Sequence, residues 1–184
     1  MPKMILAFAG KLASGKAVCQ QYITEKYNAD NTRFSTSLRD VLQRLHLPIS
    51  RENLQNLSLD LRNRFGSDVL ARTIAEDVKN SQKDIVVIDG IRRLDDINNL
   101  KGLPGFHLIS VDASPEKRYE RMKERNENAG DDKKSFADFL RDEAGESELQ
   151  IPAVMAAANF HLDNNGDLEQ LHEQIDKMVQ EIQN

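Results

Sequence analysis

Short runs of consecutive apolar residues recur along the chain, and the two clearest runs each end at a glycine. Residues 4–9 form one unbroken apolar run before Gly10, and residues 84–89 form a β-branched run before Gly90. Runs of this kind are typical of parallel strands that are buried on both faces. Three shorter segments predict further strands, at residues 32–35, 107–112 and 160–163.

Segments with helical periodicity lie between these runs. They predict helices near residues 15–27, 36–46, 50–65 and 67–80, from residue 114 onward, and from residue 167 to the C-terminus. Gly66 separates two of these helices, and Ser114-Pro115 provides a capping serine followed by proline in the first helical position. Strands that alternate with helices predict an α/β fold, in which a parallel five-stranded sheet carries helices on both faces in three layers.

Residues 125–150 differ from the rest of the chain in composition. A polar, turn-rich stretch over residues 125–134 is followed by a short charged helix. Two interpretations are open for this region, a flap that moves over a site or a plain surface excursion.

Length and composition narrow the class of protein. A chain of 184 residues forms one compact domain, and 39% hydrophobic with 30% charged residues is typical of a soluble globular protein. The longest apolar run is far shorter than the about 20 residues of a membrane span and too short for a signal-peptide core. Cys19 is the single cysteine, which excludes an intramolecular disulfide framework and a cysteine zinc site, and the four histidines lack metal-ligand spacing. We therefore expect a cytoplasmic protein.

The distribution of charge indicates the kind of ligand. A net charge of −5 disfavours a nucleic acid polymer as partner, because nucleic-acid-binding proteins present a basic surface. The arginines nevertheless fall into two groups: Arg33, Arg39, Arg44, Arg51, Arg62, Arg64 and Arg72, then Arg92, Arg93, Arg118, Arg121 and Arg125. Local groups of arginine in an acidic protein suit small phosphorylated ligands, although some of these side chains belong to ordinary solvated helix faces.

A glycine-rich motif follows the first predicted strand and opens the first predicted helix. Residues 10–16 fit the pattern G-x-x-x-x-G-K, in which Gly10 and Gly15 let the loop wrap around phosphate groups. The loop amides and the helix N-terminus favour an anion, and Lys16 can reach the outer phosphates of a nucleotide. The predicted donor-binding residues are Gly10, Lys11, Ala13, Ser14, Gly15, Lys16 and Ala17.

The next two positions depart from the usual phosphate-loop pattern. A serine or threonine hydroxyl normally follows the lysine and binds the magnesium ion of the nucleotide, but Ala17 and Val18 stand here. The alternative magnesium ligands are Ser14, Asp89 and Asp112, or water. If none of them serves, catalysis is weak.

Hydroxyl groups and arginines also follow the other predicted strands. Ser35 and Arg39 lie one helical turn apart, and guanidinium groups bind phosphate in a bidentate manner. An equally good interpretation is that Ser35 or Ser37 only caps the helix. Asp89 ends a buried strand at the edge where ligands bind in such sheets, and Arg92 follows it.

With these residues in view, the chain resembles the nucleoside-monophosphate-kinase branch of the P-loop kinases, especially deoxynucleoside-monophosphate kinases and dephospho-CoA kinase-like proteins. The matching segments are residues 10–16, Ser35 to Arg39, Arg62 with Phe65-Gly66, residues 89–93, Arg118 with Arg121 and Arg125, and residues 163–166. The resemblance implies a P-loop NTPase fold in one domain of residues 1–184. It also implies an acceptor-binding insertion at about 35–80 and a LID at about 122–150.

The resemblance further implies roles for individual residues, with ATP and Mg²⁺ as cofactors. The catalytic set is Lys16, Asp89, Arg92, Arg121 and Arg125, with Asp89 as the magnesium ligand. Asn165 would lie near the donor base, and the acceptor would contact Ser35, Arg39, Arg62 and Arg92.

Three functions remain open from the sequence. The first is transfer of the γ-phosphoryl group to a nucleoside or deoxynucleoside monophosphate, and the second is a dephospho-CoA kinase-like activity. The third is a weakly catalytic ATP-binding sensor or interaction protein, which Ala17 and Val18 favour and the surplus of arginines disfavours. The expected partner is a small phosphorylated acceptor, without a nucleic acid polymer or membrane, for a monomer or homodimer.

Overall fold

A five-stranded parallel sheet forms the centre of the protein. The computed structural model describes residues 1–125, 133–143, 145 and 149–184. The strands are β1 (Met4–Ala9), β2 (Asp30–Arg33), β3 (Ile85–Asp89), β4 (Phe106–Asp112) and β5 (Phe160–Asp163), in the order β2-β3-β1-β4-β5. Every neighbouring pair is parallel. The predicted fold class and the five-stranded parallel sheet are confirmed.

Helices cover both faces of this sheet. Within the described residues they are α1 (Lys16–Tyr27), α2 (Thr36–Arg44), α3 (Arg51–Phe65), α4 (Val69–Asn80), α5 (Leu94–Asn98), α6 (Pro115–Arg125), α7 (Phe136–Glu143), α8 (Ile151–Ala156) and α9 (Leu168–Gln183). One apolar core joins the sheet to residues of α2, α4 and α8. A second core joins the opposite face to α1 and α9, which gives three layers.

The order of the strands places a binding crevice at one edge. β1 is buried along its whole length, and it pairs with β3 on one side and with β4 on the other. The connection that leaves β1 therefore leads to β2 on one side of it, and the connection that leaves β3 crosses to β4 on the other side. In open parallel sheets, ligands bind beyond the carboxyl ends of the strands at such a switch point. The segments that follow β1, β3, β4 and β5 meet at this edge.

The structure corrects several predicted bounds. β2 covers Asp30–Arg33 instead of residues 32–35, because the chain leaves the ladder at Phe34 and Ser35 already has helical dihedral angles. α2 ends at Arg44, and His46 follows in a left-handed conformation with φ 57°. The short helices α5 and α8 were not predicted, because five or six residues carry too little periodicity.

Two further observations concern the described part of the chain. None of its helices combines the length and the apolar character that a membrane span requires. The predicted LID at about 122–150 lies partly outside the described residues. Helix α7 falls within this range and matches the short charged helix expected there.

Candidate active site

The phosphate loop joins β1 to α1, and its glycines are required by close packing. A Cβ atom on Gly10 would lie 2.4 Å from the carbonyl oxygen of Val111, and one on Gly15 would lie 2.0 Å from Nδ2 of Asn164. Gly15 also has φ 103°, which side chains rarely tolerate. The loop is therefore in direct contact with the end of β4 and with the segment that follows β5.

Lys16 and the start of α1 give this loop its positive character. The Nζ group of Lys16 donates hydrogen bonds to the carbonyl oxygens of Gly10 at 2.6 Å and Lys11 at 3.0 Å, so it folds back over the loop. The first turn of α1 has no side-chain cap and no acidic residue. Its partial positive charge is thus not neutralised locally, which favours an anion at this position.

Ser14 lies within the loop and is fully buried. Its Oγ atom makes no hydrogen bond with any residue that the structure describes. A buried hydroxyl without a partner costs about 1–3 kcal/mol, so this group fits a site that oxygen atoms of a bound ligand complete. Ala17 and Val18, by contrast, are exposed apolar residues. Ser14, Asp89 and Asp112 therefore stay the predicted candidates for holding the magnesium ion of a nucleotide.

Asn164 is a site residue that the sequence analysis did not identify. It is 6% exposed, and its side chain donates to the carbonyl oxygen of Ser14 at 2.8 Å. Its backbone N–H donates to Asp112 at 2.8 Å, and its carbonyl oxygen accepts from Arg121 at 2.9 Å. Asn164 thus links the phosphate loop to the ends of β4 and β5 and to α6. The sequence signal lay in residues 163–166, from which Asn165 was selected instead.

Asn165 is fixed by contacts at the surface of the site. Its Oδ1 atom accepts from the backbone N–H of Ser114 at 2.8 Å, and its Nδ2 atom donates to Asp163. The carbonyl oxygen of Asn165 accepts a bond from Lys117. These bonds tie the loop after β5 to the start of α6. The expected contact of Asn165 with a donor base stays a prediction.

The three arginines of α6 have different environments. Arg121 donates to Asn164 through Nη2, while its buried Nη1 has no partner among the described residues. This nitrogen therefore suits an additional anion beside the phosphate loop. Arg125 is exposed at the end of α6.

Arg118 is only 1% exposed, and its side chain connects three separate segments of the chain. It donates to the carbonyl oxygens of Ala113 at 3.0 Å and Leu12 at 3.3 Å, and it forms an ion pair with Glu143 of α7. Burial lowers the pKa of this guanidinium, whereas nearby Asp112 acts in the opposite direction. Arg118 belongs to the arginine segment that resembles the kinases, but its contacts connect α6, α7 and the phosphate loop.

Asp89 ends β3 at the same edge of the sheet. Its Oδ1 atom accepts a hydrogen bond from Nε2 of Gln20 at 3.1 Å, and Gln20 is only 4% exposed. Gln20 lies on α1, one turn after Lys16. The sequence analysis singled out Asp89 but not the glutamine that orients it.

A buried carboxylate connects two of the residues that are predicted to contact the acceptor. Asp96 accepts hydrogen bonds from the backbone N–H groups of Arg92 at 3.3 Å and Arg93 at 3.2 Å, and it pairs with Arg62 at 3.1 Å. Arg62 also donates to the carbonyl oxygen of Ser67. The structure thus places Arg62 and Arg92 around one anchor, although the Arg62 guanidinium is shared with two protein groups.

Ser35 and Arg39 form a second small group on this side. Ser35 occupies the N-cap position of α2, but its side chain makes no capping bond. Its Oγ atom instead accepts from Nε of Arg39 at 3.5 Å. The two predicted acceptor ligands are therefore adjacent, and the capping interpretation of Ser35 is not observed.

Cysteine and metal-ligating side chains also bear on the chemistry of the part of the chain that the structure describes. Cys19 is buried on α1, and desolvation raises the pKa of its thiol to about 12. In the described ranges, no cluster of three or more histidine, cysteine or acidic side chains has the arrangement of a metal site.

The fold and the site together define a nucleotide-binding protein of the P-loop type with a kinase-like core. By sequence, the chain belongs to the AAA domain family, whose profile matches residues 10–137, and to the UPF0200 proteins. A UPF0200 protein of Thermococcus kodakarensis is 29% identical over 185 residues, covering 97% of this chain and 98% of the relative. One from Saccharolobus islandicus is 30% identical over 133 residues, covering 71% and 70%.

A solved structure agrees with this fold. The shikimate kinase from Bacteroides thetaiotaomicron superposes with a TM-score of 0.63 over 98% of this chain and 99% of that enzyme. At 12% identity the likeness concerns the fold alone. The resemblance to P-loop kinases is thus confirmed at the level of the fold.

Proposed function

We propose that this protein is an ATP-dependent phosphotransferase that moves the γ-phosphoryl group to a nucleoside or deoxynucleoside monophosphate. The observation that carries the proposal is the presence of cationic and hydrogen-bonding groups on both sides of one crevice. Lys16, Ser14 and Arg121 surround the donor side. On the acceptor side, Asp96 pairs with the guanidinium of Arg62 and accepts a hydrogen bond from the backbone N–H of Arg92.

The donor phosphates would bind to the phosphate loop. Lys16 would exchange its bonds to loop carbonyl oxygens for phosphate oxygens, and the unpartnered Ser14 hydroxyl would gain an oxygen ligand. Magnesium, held by Asp89 and Ser14, would supply charge neutralisation at the phosphates. The Nη1 group of Arg121 would stabilise charge that spreads over the transferred group.

The acceptor would bind on the opposite side of the crevice. Arg39, Arg62 and Arg92 would hold its phosphate, because guanidinium groups bind phosphate with fixed geometry. An oxygen of that phosphate forms the new bond to the γ-phosphorus. The bond from this phosphorus to the bridging oxygen breaks, and ADP leaves with the electron pair. The protein contributes position and electrostatics, with no covalent intermediate of its own.

A second candidate function rests on the exposed apolar pair Ala17 and Val18. Since neither residue has a hydroxyl group for magnesium, a nucleotide sensor with little turnover is the alternative. Dephospho-CoA is the alternative acceptor if turnover is efficient. The structural neighbour suggests shikimate, which carries a carboxylate and no phosphate group, as a further acceptor to test.

The test is a transfer assay with purified protein, ATP and magnesium. Each common ribo- and deoxynucleoside monophosphate, dephospho-CoA and shikimate would be offered separately, and products resolved by chromatography and mass. We expect transfer to one monophosphate and a loss of about 10²–10³-fold in rate for Lys16→Ala. Lys26→Ala is the control on the same helix, since Lys26 pairs with Asp176 at the surface. ATP binding without any transfer would favour the sensor.

A further inference from the structure

The phosphate loop lacks the hydroxyl group that usually follows the lysine and helps to bind magnesium. In P-loop NTPases the hydroxyl that follows the lysine acts together with an acid from a neighbouring strand to hold magnesium. Ala17 and Val18 lack this hydroxyl. The acid is present as Asp89 at the end of β3, and with one metal ligand missing the orientation of this carboxylate becomes more important.

Gln20 lies where its side chain can orient the Asp89 carboxylate. It follows Lys16 by four residues, which is about one helical turn, and therefore lies on the same side of α1. Its side chain is 4% exposed, and Nε2 donates to Oδ1 of Asp89 at 3.1 Å. A buried amide is tolerated when it is hydrogen-bonded, and the observed bond joins the nucleotide-binding helix directly to the candidate magnesium ligand.

The neighbouring glutamine shows that this contact is specific. Gln21 is exposed and bonds to Glu25 on its own helix at 2.8 Å. Gln20 instead crosses from α1 to β3. The amide is neutral at all pH values, so it orients the Asp89 carboxylate by a hydrogen bond without cancelling the charge that attracts a cation.

We propose that Gln20 is a positioning residue for Asp89, and that the carboxylate fixed in this way compensates in part for the hydroxyl ligand that is absent at position 17. This inference rests on the proposed function, because it requires that the site binds a nucleotide with magnesium. Gln20 holds the carboxylate at the edge of β3. Asp89 then meets the metal without reorganisation.

The test is calorimetric titration of ATP into the full chain, once with Mg²⁺ and once with EDTA. The variant is Gln20→Met, which keeps most of the side-chain volume and removes the amide. We expect the Mg²⁺-dependent gain in ATP affinity to fall about tenfold, in line with the loss of an outer-shell partner of a metal ligand. Affinity in EDTA stays unchanged, because Lys16 and the loop remain.

Two further variants separate positioning from a structural role. Gln21→Ala is the matched control and keeps the wild-type difference between Mg²⁺ and EDTA. Ala17→Ser, introduced into the Gln20→Met protein, returns a hydroxyl to its usual position and restores most of the Mg²⁺-dependent gain. A denaturant titration of Gln20→Met checks that the protein is folded.

The inference is overturned if Gln20→Met keeps the Mg²⁺-dependent gain within twofold of wild type, or if affinity falls equally in EDTA. It is also overturned if the wild-type protein shows no such gain. Failure of the kinase proposal gives a different result: wild type binds ATP with a Mg²⁺-dependent gain that Gln20 controls, yet no acceptor is phosphorylated.

Discussion

The two sides of the crevice are built differently. On the donor side, the phosphate loop is tied to its neighbours by buried polar groups, with Asn164 at 6% and Arg118 at 1% exposure. On the acceptor side, α3 has no fully buried residue along its 15 positions. It is attached to the core through three partly buried leucines, namely Leu54, Leu57 and Leu61.

This difference follows from what each side has to recognise. Under the proposed function, backbone groups and fixed cations on the donor side would bind phosphate groups, which requires a frame held within a fraction of an ångström. Elements with few buried contacts have low local stability, and the elements that move on binding are usually of this kind. We therefore expect a rigid donor side and a more easily opened α3.

The largest expected effect is a difference in cysteine reactivity between the two sides. Cys19 on α1 is fully buried, whereas Leu59 on α3 is 57% exposed. Alkylation of native Cys19 at pH 8 should be slower by about a thousandfold or more than alkylation of Leu59→Cys in a Cys19→Ser background. The reason is that access to Cys19 requires global opening, which costs about 5 kcal/mol or more. Time-resolved mass spectrometry with iodoacetamide measures both rates.

The raised pKa of the Cys19 thiol also makes the free energy of unfolding depend on pH. Burial raises the pKa from 9.0 to about 12, so the folded state favours the neutral thiol. This contribution to the free energy of unfolding is complete below pH 9, and it is lost as the pH rises from about 9 toward 12. In the alkylation experiment, equal reaction rates for the two cysteines at pH 8 would show that α1 opens as readily as α3.

The second-largest expected effect is on stability and concerns buried Arg118, which connects α6, α7 and the phosphate loop. Arg118→Met removes one of the two cationic partners of Glu143, which keeps Lys11 at 3.6 Å, and it removes the bonds to Ala113 and Leu12. Because a buried ion pair is lost and two carbonyl oxygens lose their donor, we expect the free energy of unfolding to fall by about 3 kcal/mol. Urea titration followed by circular dichroism measures it.

A matched exposed arginine controls for the loss of charge alone. Arg141 of α7 pairs with Asp138, but its side chain is 75% exposed. Arg141→Met should therefore change the free energy of unfolding by less than about 0.5 kcal/mol. If both substitutions had the same small effect, the donor side would not owe its rigidity to Arg118.

The same contrast explains which features could be predicted from the sequence. Local patterns predicted β1, the loop of residues 10–16 and the sheet, because buried strands and glycine turns leave a signal within a few residues. The roles of Gln20, Asn164 and Arg118 depend on contacts between distant segments, such as the 150 positions that separate Asn164 from Ser14. No local pattern distinguishes a buried glutamine or arginine from an exposed one on a polar helix.

The smallest effect should come from the acceptor side. Leu57 of α3 is partly buried against the core, so Leu57→Ala should lower the free energy of unfolding by about 1 kcal/mol, less than for a fully buried leucine. Leu59→Ala, on the exposed face of the same helix, should change it by less than about 0.5 kcal/mol. Urea titration measures both values, and hydrogen exchange shows where each change acts. We expect Leu57→Ala to accelerate exchange in α3 while the amides of β1 keep their protection. Equal acceleration in β1 would mean that α3 opens only with the whole domain, and the two sides of the crevice would then form one cooperative unit.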